Sequence, residues 1–300
     1  MLRALLVLIP CVALGQPAAG APAPEAPPAP AAPEVAAPAP APQVEAPRGC
    51  ARWKAEGLGE GPIALGYVEA DVATGRRACP RSEVGIGGRL SAIIDTPAFY
   101  GYLLVDALVY GSVAIDPKTE IFGTLEAVHW SFIAQNGPLK IPLNDSATLG
   151  TLTLGATRQF YGSDRYLGAF SMRLLLPTSF AIPNTWLIGA ELGHASSWRP
   201  RDWLELHGYL GVDFNTALGN GPTLPRVGGL LTAGVQLSPF SFLALVVDAT
   251  GRLGAKSYFA PSVALRFRFY RLGIELAGTM PLAGTDRHDF IVGGRFTVRL

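Results

Sequence analysis

Phe290-Ile-Val-Gly-Gly-Arg-Phe-Thr-Val-Arg-Leu300 closes the chain, and its reading decides the fold. Phe290, Val292, Gly294, Phe296, Val298 and Leu300 share one face of an extended strand, whereas Gly293, Arg295, Thr297 and Arg299 share the other. The two stretches before it repeat the pattern. Val263, Leu265, Phe267 and Phe269 oppose Arg266 and Arg268, and Leu272, Ile274 and Leu276 oppose Glu275. Phe269 and Leu272 flank the two-residue connection Tyr270-Arg271, which predicts a hairpin with that pair facing across it.

Working back towards the N-terminus, the same unit of alternation plus turn recurs twelve times: Val84–Ile94, Phe99–Tyr110, Glu120–Ile133, Thr148–Phe160, Arg165–Leu176, Thr185–Ala195, Asp202–Phe214, Arg226–Leu237, Ser241–Thr250, Tyr258–Phe269, Arg271–Met280 and Asp289–Leu300. Val227 to Val247 is uncharged, but Gly228, Gly229, Gly234, Gln236 and the turn-like Ser238-Pro239 divide it into two strands. After residue 50, other apolar stretches are broken before the roughly 18 residues that a spanning helix needs.

Short strands with one apolar face suit either a soluble sandwich or a membrane barrel, in which the apolar face meets lipid. Composition favours the barrel, since only 16% of residues are charged while 49% are hydrophobic; about 25% charged is usual for soluble domains. Strands near ten residues suit a tilted crossing. Aromatics gather at strand ends, among them Tyr100, Tyr110, Trp130, Tyr161, Tyr166, Trp186, Trp198, Trp203, Phe240, Phe242, Phe269 and Tyr270, as an interfacial girdle requires. Connections alternate between short ones (Tyr161 to Asp164, Ser238-Pro239-Phe240, Tyr270-Arg271) and longer ones (Ala134 to Ala147, Asn215 to Pro225). The fold class is therefore all-β: a transmembrane antiparallel up-and-down β-barrel of about 12 strands over residues 83–300.

Over about Val84 to Leu300 the chain resembles the bacterial outer-membrane β-barrel proteins, of porin-like or transporter type. The final strand looks like the assembly signal of such barrels, although the family usually ends in an aromatic residue and this chain in Leu300. The segment Arg173-Leu-Leu-Leu-Pro-Thr178 resembles a strand end of outer-membrane transporters, too short to identify a substrate. The resemblance implies outer-membrane lipid and lipopolysaccharide as surroundings and the barrel assembly machinery as a partner of the C-terminal strand.

Residues 1–20 read as an export signal: Arg3, an apolar run from Ala4 to Leu14, and small residues allowing cleavage after Gly15 or Gly20. Cys11 goes with it, because Pro10 spoils a lipidation motif. Residues 21–47 continue an Ala/Pro tract that holds, from Pro17 to Pro47, 11 of the 26 prolines, so it cannot form a core. It reads as a disordered, semi-rigid tether reaching roughly 90 Å in polyproline II form, with a cell-wall or periplasmic partner as one use for it. Residues 48–82 read as a periplasmic or plug segment closed by a Cys50–Cys79 disulfide, with one strand-like run from Ile63 to Val72.

The alternation places Arg89, Asp106, Glu126, Arg173, Glu191, Glu205, His207, Asp213, Asp248, Arg266, Arg268, Glu275, Arg295 and Arg299 in the lumen, seven acids against six arginines and one histidine. Two readings follow. One is a narrow porin-like channel for small solutes, with opposed acidic and basic walls; the other is a structural barrel closed by its own salt bridges and anchoring the tether. A third class, a lipid hydrolase, rests on His129-Trp-Ser131, which resembles the His-x-Ser pair of lipid A deacylase barrels. The alternation puts both residues on the lipid face, with Glu126 at opposite parity, so no acid completes a triad and no catalytic residue is assigned. His194, His207 and His288 stand apart from ligand-spaced partners, no phosphate-binding glycine pattern is present, and the basic residues are dispersed. The expectation is no enzyme, no metal, no cofactor and no nucleic acid.

Overall fold

The structure, a computed structural model, describes residues 49–63, 76–95, 100–135, 150–176, 185–219, 226–254, 257–284 and 289–300. The signal and tether at 1–47, most of the run from Ile63 to Val72, His288 and most of the longer connections lie outside the described residues. So do the side chains of His129, Trp130, Ser131 and Trp186.

Among the described residues one helix, α1 (Cys50–Ala55), precedes the strands. These are β1 (Glu83–Asp95), β2 (Tyr100–Asp116), β3 (Thr119–Gln135), β4 (Leu152–Gly162), β5 (Tyr166–Leu176), β6 (Thr185–Arg201), β7 (Leu204–Gly219), β8 (Arg226–Phe240), β9 (Leu243–Gly254), β10 (Tyr258–Phe269), β11 (Leu272–Thr279), the two-residue β12 (Ala283–Gly284) and β13 (Phe290–Arg299). Each long strand pairs antiparallel with its sequence neighbour, β11 reaches past β12 to β13, and β1 pairs with β13 from Glu83↔Arg299 to Ala92↔Phe290. Twelve long strands thereby close into a barrel. β12 adds only Tyr258↔Gly284 and Phe259↔Ala283 beyond the end of β11.

Closure has a simple cause. Lipid offers no hydrogen-bond partner, so a sheet edge left open there strands a row of N–H and C=O groups. The outer face is correspondingly apolar: Ile86, Phe170, Leu192 and Leu210 are each 60% exposed or more. Their strand neighbours Arg89, Arg173, Glu191 and Tyr209 are buried inside. Ordinary globular patterning is inverted, because lipid solvates the apolar face and the lumen takes most of the charges.

Five connections, Pro117-Lys118, Ser163–Arg165, Asp202-Trp203, Ser241-Phe242 and Tyr270-Arg271, lie at one end of the barrel, together with the start of β1 and the end of β13. This is called the turn end, and the opposite end the loop end. Tyr161, Tyr166, Trp198, Trp203, Phe240, Phe242, Phe269 and Tyr270 are exposed at the turn end, with Tyr161 against Tyr166 at 5.3 Å and Phe240 stacked on Phe242 at 5.5 Å. The predicted pair Phe269↔Leu272 forms, and Tyr270 accommodates the tight turn with φ 52°.

Two local readings change. Ser238-Pro239 is not the turn between β8 and β9; β8 continues through an irregularity to Phe240, which pairs with Leu243, and Ser241-Phe242 makes the turn. Proline is tolerated there because a strand end with a bulge needs no ladder N–H from it. The second change concerns β3. Ala107 pairs with Val128 but Leu108 with Glu126, so Ala127 is an extra residue, and beyond it His129 lies opposite Asp106 and Ser131 opposite Leu104. One inserted residue flips every later position to the other face. Asp106 is buried in the lumen. The His129 position therefore belongs to the lumen face, like Glu126, and not to the lipid face on which the hydrolase reading rests.

Leu210, 64% exposed near the middle of β7, is a direct probe of the lipid face. Leu210→Arg is expected to cost about 2–4 kcal/mol of barrel stability, measured by urea titration of folding into vesicles. The same charge at a turn residue such as Trp203 is expected to cost far less.

Candidate functional site

The lumen is occupied. Residues 49–63 enter from the turn end, residues 76–82 return to β1, and the Cys50–Cys79 disulfide ties the two arms together. Together they form a plug. Its apolar seat packs Trp53, Leu58, Ala78 and Cys79 against Leu167, Ala169, Ala195, Tyr209 and Leu230 of the wall. Trp53 Nε1–H donates to the Ser163 carbonyl at 3.0 Å, Arg199 lies over its ring at 5.5 Å, and Gly49 N–H and Arg52 both donate to Asp164. Deeper in, Gly59 N–H donates to Glu205 at 2.8 Å and Ile63 N–H to Asp248 at 2.6 Å.

Three charged clusters join plug and wall. In the first, Arg76 holds Glu191 with both Nε (3.0 Å) and Nη2 (2.8 Å); Arg173 pairs with the same carboxylate, Tyr209 O–H donates to it, and Arg76 lies over the Tyr209 ring at 5.1 Å. Gly193 makes this possible, since a Cβ there would collide with the Tyr209 hydroxyl. In the second, Arg77 reaches Glu120 with two nitrogens (3.1 and 2.7 Å), Glu83 at 2.7 Å and the Ser112 hydroxyl at 3.0 Å, while Arg81 N–H also donates to Glu120. In the third, Glu60 meets Arg299 at 2.6 Å, Arg268 at 3.0 Å, Arg81 at 3.6 Å and Arg266 at 3.7 Å. Arg266 also pairs with Glu275 at 2.6 Å and donates to the carbonyls of Gly61 and Pro62, and Arg295 completes the group at 3.4 Å from Glu275. The space between plug and wall at this third cluster is about 20 Å³, room for about one water.

The loop half of the lumen is different. There the wall pairs with itself: Arg89 with Asp106 at 2.6 Å and Glu126 at 3.7 Å, and Arg252 with Asp213 at 2.5 Å. Nearer the turn end His207 meets Asp248, the acceptor of the Ile63 N–H, at 2.6 Å, with Gly234 leaving room for both. Of the fourteen sequence-predicted lumen residues some pair within the wall and some are engaged by the plug, and Glu191, Asp248 and Arg266 do both. Alternation alone missed Glu83, Glu120, Arg199 and Arg252 on the wall and Glu60, Arg76, Arg77 and Arg81 on the plug. Parity within β3 and β9 points to Glu120 and Arg252; nothing local points to the plug residues. Among the described residues no three His, Cys, Asp or Glu side chains converge for a metal.

Magnitudes separate the contributions. Fully burying Trp53 and Leu58 stabilises docking by about 1.5–3 kcal/mol each. Buried ion pairs roughly break even against desolvation, but removing one partner costs about 3–5 kcal/mol. The apolar seat therefore drives docking, and the ion pairs fix its register. Burial opposes the charged form of Glu60, yet Arg268, Arg81, Arg266 and Arg299 outweigh it and hold the carboxyl well below the usual carboxylate range. Burial, with Arg81 and Arg77 adding to it, lowers Lys54 to about 8.

No protein-family model matches the sequence, and no curated protein matches it. Solved structures do. An outer-membrane channel from Pseudomonas putida F1 superposes with a TM-score of 0.57 at 11% identity, covering 80% of this chain and 100% of that one. The translocator domain of the autotransporter NalP from Neisseria meningitidis gives 0.47 at 13% identity over 73% and 88% of the two chains. The KdgM porin gives 0.42 at 8% identity over 71% and 98%. The likeness is one of fold, and it is the fold of bacterial outer-membrane β-barrels.

Because the docked value for Glu60 lies below the free one, its stabilisation of the plug is complete above the ordinary carboxylate range and is lost only as pH falls through the lowered value. Limited proteolysis of the plug is therefore expected to stay slow at about pH 5 and to accelerate only in stronger acid. Glu60→Gln should remove that acid dependence. Glu191→Gln, which leaves Arg76 and Arg173 sharing a neutral amide, is expected to loosen the plug by about 3–5 kcal/mol in the same assay.

Proposed function

We propose that the protein is a porin-like outer-membrane channel for small solutes, with the turn end in the periplasm and residues 49–63 and 76–82 forming its plug. One observation carries this reading. At Arg89–Asp106 and Arg252–Asp213 the wall neutralises its own charges, whereas at the turn end Glu83, Glu120, Arg268 and Arg299 are neutralised by the segment that precedes β1 and not by other strands. A barrel built only to stay closed needs no second segment for that task, since cross-strand pairs such as Arg89–Asp106 suffice. Withdrawal of the plug uncovers a polar passage with acids on β1, β3 and β6 and arginines on β10 and β13. Catalysis forms no part of the reading, because the one lipid-directed pair, His129 and Ser131, lies on strand positions that the β3 bulge turns to the lumen.

A second reading, a permanently stoppered barrel that anchors the N-terminal tether, is favoured by the apolar seat of Trp53 and Leu58, both fully buried. Planar-bilayer recording separates the two. Wild type is expected to show small or infrequent openings, and Trp53→Ala/Leu58→Ala, which removes the seat, to raise the mean current several-fold while remaining inserted and heat-modifiable on gels. Silence of both proteins, each shown to be inserted, would establish the anchor reading.

A further inference from the structure

The plug holds its place with chemistry that describes a ligand. Arg76 and Arg77 are consecutive, so in an extended chain their side chains leave on opposite sides. Arg76 enters a clamp on β6 and β7 made of the Glu191 carboxylate and the Tyr209 ring. Arg77 enters a second clamp on β1, β2 and β3, made of Glu83, Ser112 and Glu120. The first clamp is organised by the wall itself: Arg173 and the Tyr209 hydroxyl both hold Glu191, so the carboxylate is oriented by groups that stay when the plug leaves. A carboxylate presented in two-point geometry beside an aromatic face suits a planar, forked guanidinium and not the point charge of an ammonium. Elsewhere on the wall Arg268 and Arg299 hold the Glu60 carboxylate.

We infer that these wall groups are a solute site in which the plug is the resident occupant, and that the solutes it takes are short arginine-containing peptides with a free carboxylate. The Glu191–Tyr209 and Glu83–Glu120 clamps receive guanidinium groups. Arg268 and Arg299 receive the carboxylate. The inference rests on the channel reading, since a solute reaches these groups only in a lumen that opens. It goes further in naming what competes for the plug's place: a molecule that reproduces the Arg76-Arg77 side chains and the Glu60 charge. A general cation attraction is a different case, because the lumen residues at this level carry both signs in similar number and favour neither by net charge.

The test uses the full-length chain in planar bilayers. Arg76→Gln/Arg77→Gln empties both clamps without altering the wall, and is expected to conduct more than wild type. Arginyl-arginine added to this variant should block the current at a concentration at least about tenfold below that needed for lysyl-lysine, which has the same charge without the fork. Amidating the C-terminus of arginyl-arginine should weaken the block, and Glu191→Gln on the same background should bring the arginine peptide to the level of the lysine one. A conducting variant that the two peptides block equally, or not at all, overturns the inference and leaves the channel standing. A variant that is inserted but silent, together with silence of the seat variant, removes the channel reading itself. Should the double variant fail to insert, the titration is made on wild type. There the arginine peptide must displace the plug: current induced by arginyl-arginine but not by lysyl-lysine supports the site, and no difference between them refutes it.

Discussion

Backbone hydrogen bonding in a solvent that cannot supply it is the constraint on which everything else depends. A strand crossing lipid must find partners on both edges, so twelve strands close β1 onto β13, and the closed sheet then has two faces with different solvents. The outer face needs no charges and carries Ile86, Leu192 and Leu210. The inner face inherits most of the ionisable groups that the strands contain, with Arg158 and Arg201 among those left outside. Charge pairing in the lumen is therefore a consequence of closure, not a separate design.

The lumen meets that consequence in two ways. In the loop half, acids and arginines on neighbouring strands satisfy each other across the ladder, as Arg89 and Asp106 do at directly opposed positions. At the turn end, satisfaction comes from the plug, which brings Arg77 to Glu83 and Glu120 and Glu60 to Arg268 and Arg299, while further in Arg76 joins Arg173 on Glu191. The plug is too small to bury a core of its own, and it borrows one: Trp53 and Leu58 complete an apolar cluster with five wall residues. The disulfide keeps the two arms in one piece, so the seat and the charged clusters act on a single body.

Side-chain preferences at the seat and at the clamps differ in what they ask of the molecule. Apolar burial tolerates small shifts, whereas bidentate guanidinium–carboxylate pairs tolerate few. A plug driven by Trp53 and registered by Arg76 and Arg77 is held firmly only when both conditions are met, which makes its position sensitive to solutes that satisfy the second condition equally well.

Periodicity by itself determined the architecture. Strict alternation in Val263 to Phe269 and Phe290 to Leu300 is enough to say which face meets lipid, because side chains on a strand alternate whatever the partner, and the Phe269↔Leu272 hairpin followed from the same rule. The inward placement of Arg266, Glu275 and Arg295 was legible for that reason. Three things were not. The bulge at Ala127, which moves His129 to the lumen face, leaves no mark in the alternation of β3 alone, since it is defined by what β2 pairs with. The Ser238-Pro239 dipeptide reads as a turn locally, yet the ladder to β9 carries the strand two residues further. And the partners of Glu191, Glu120 and Arg299 sit in a Cys-closed segment with no periodicity to place it; only the closed barrel, by leaving those charges facing a lumen of limited width, decided that this segment goes inside.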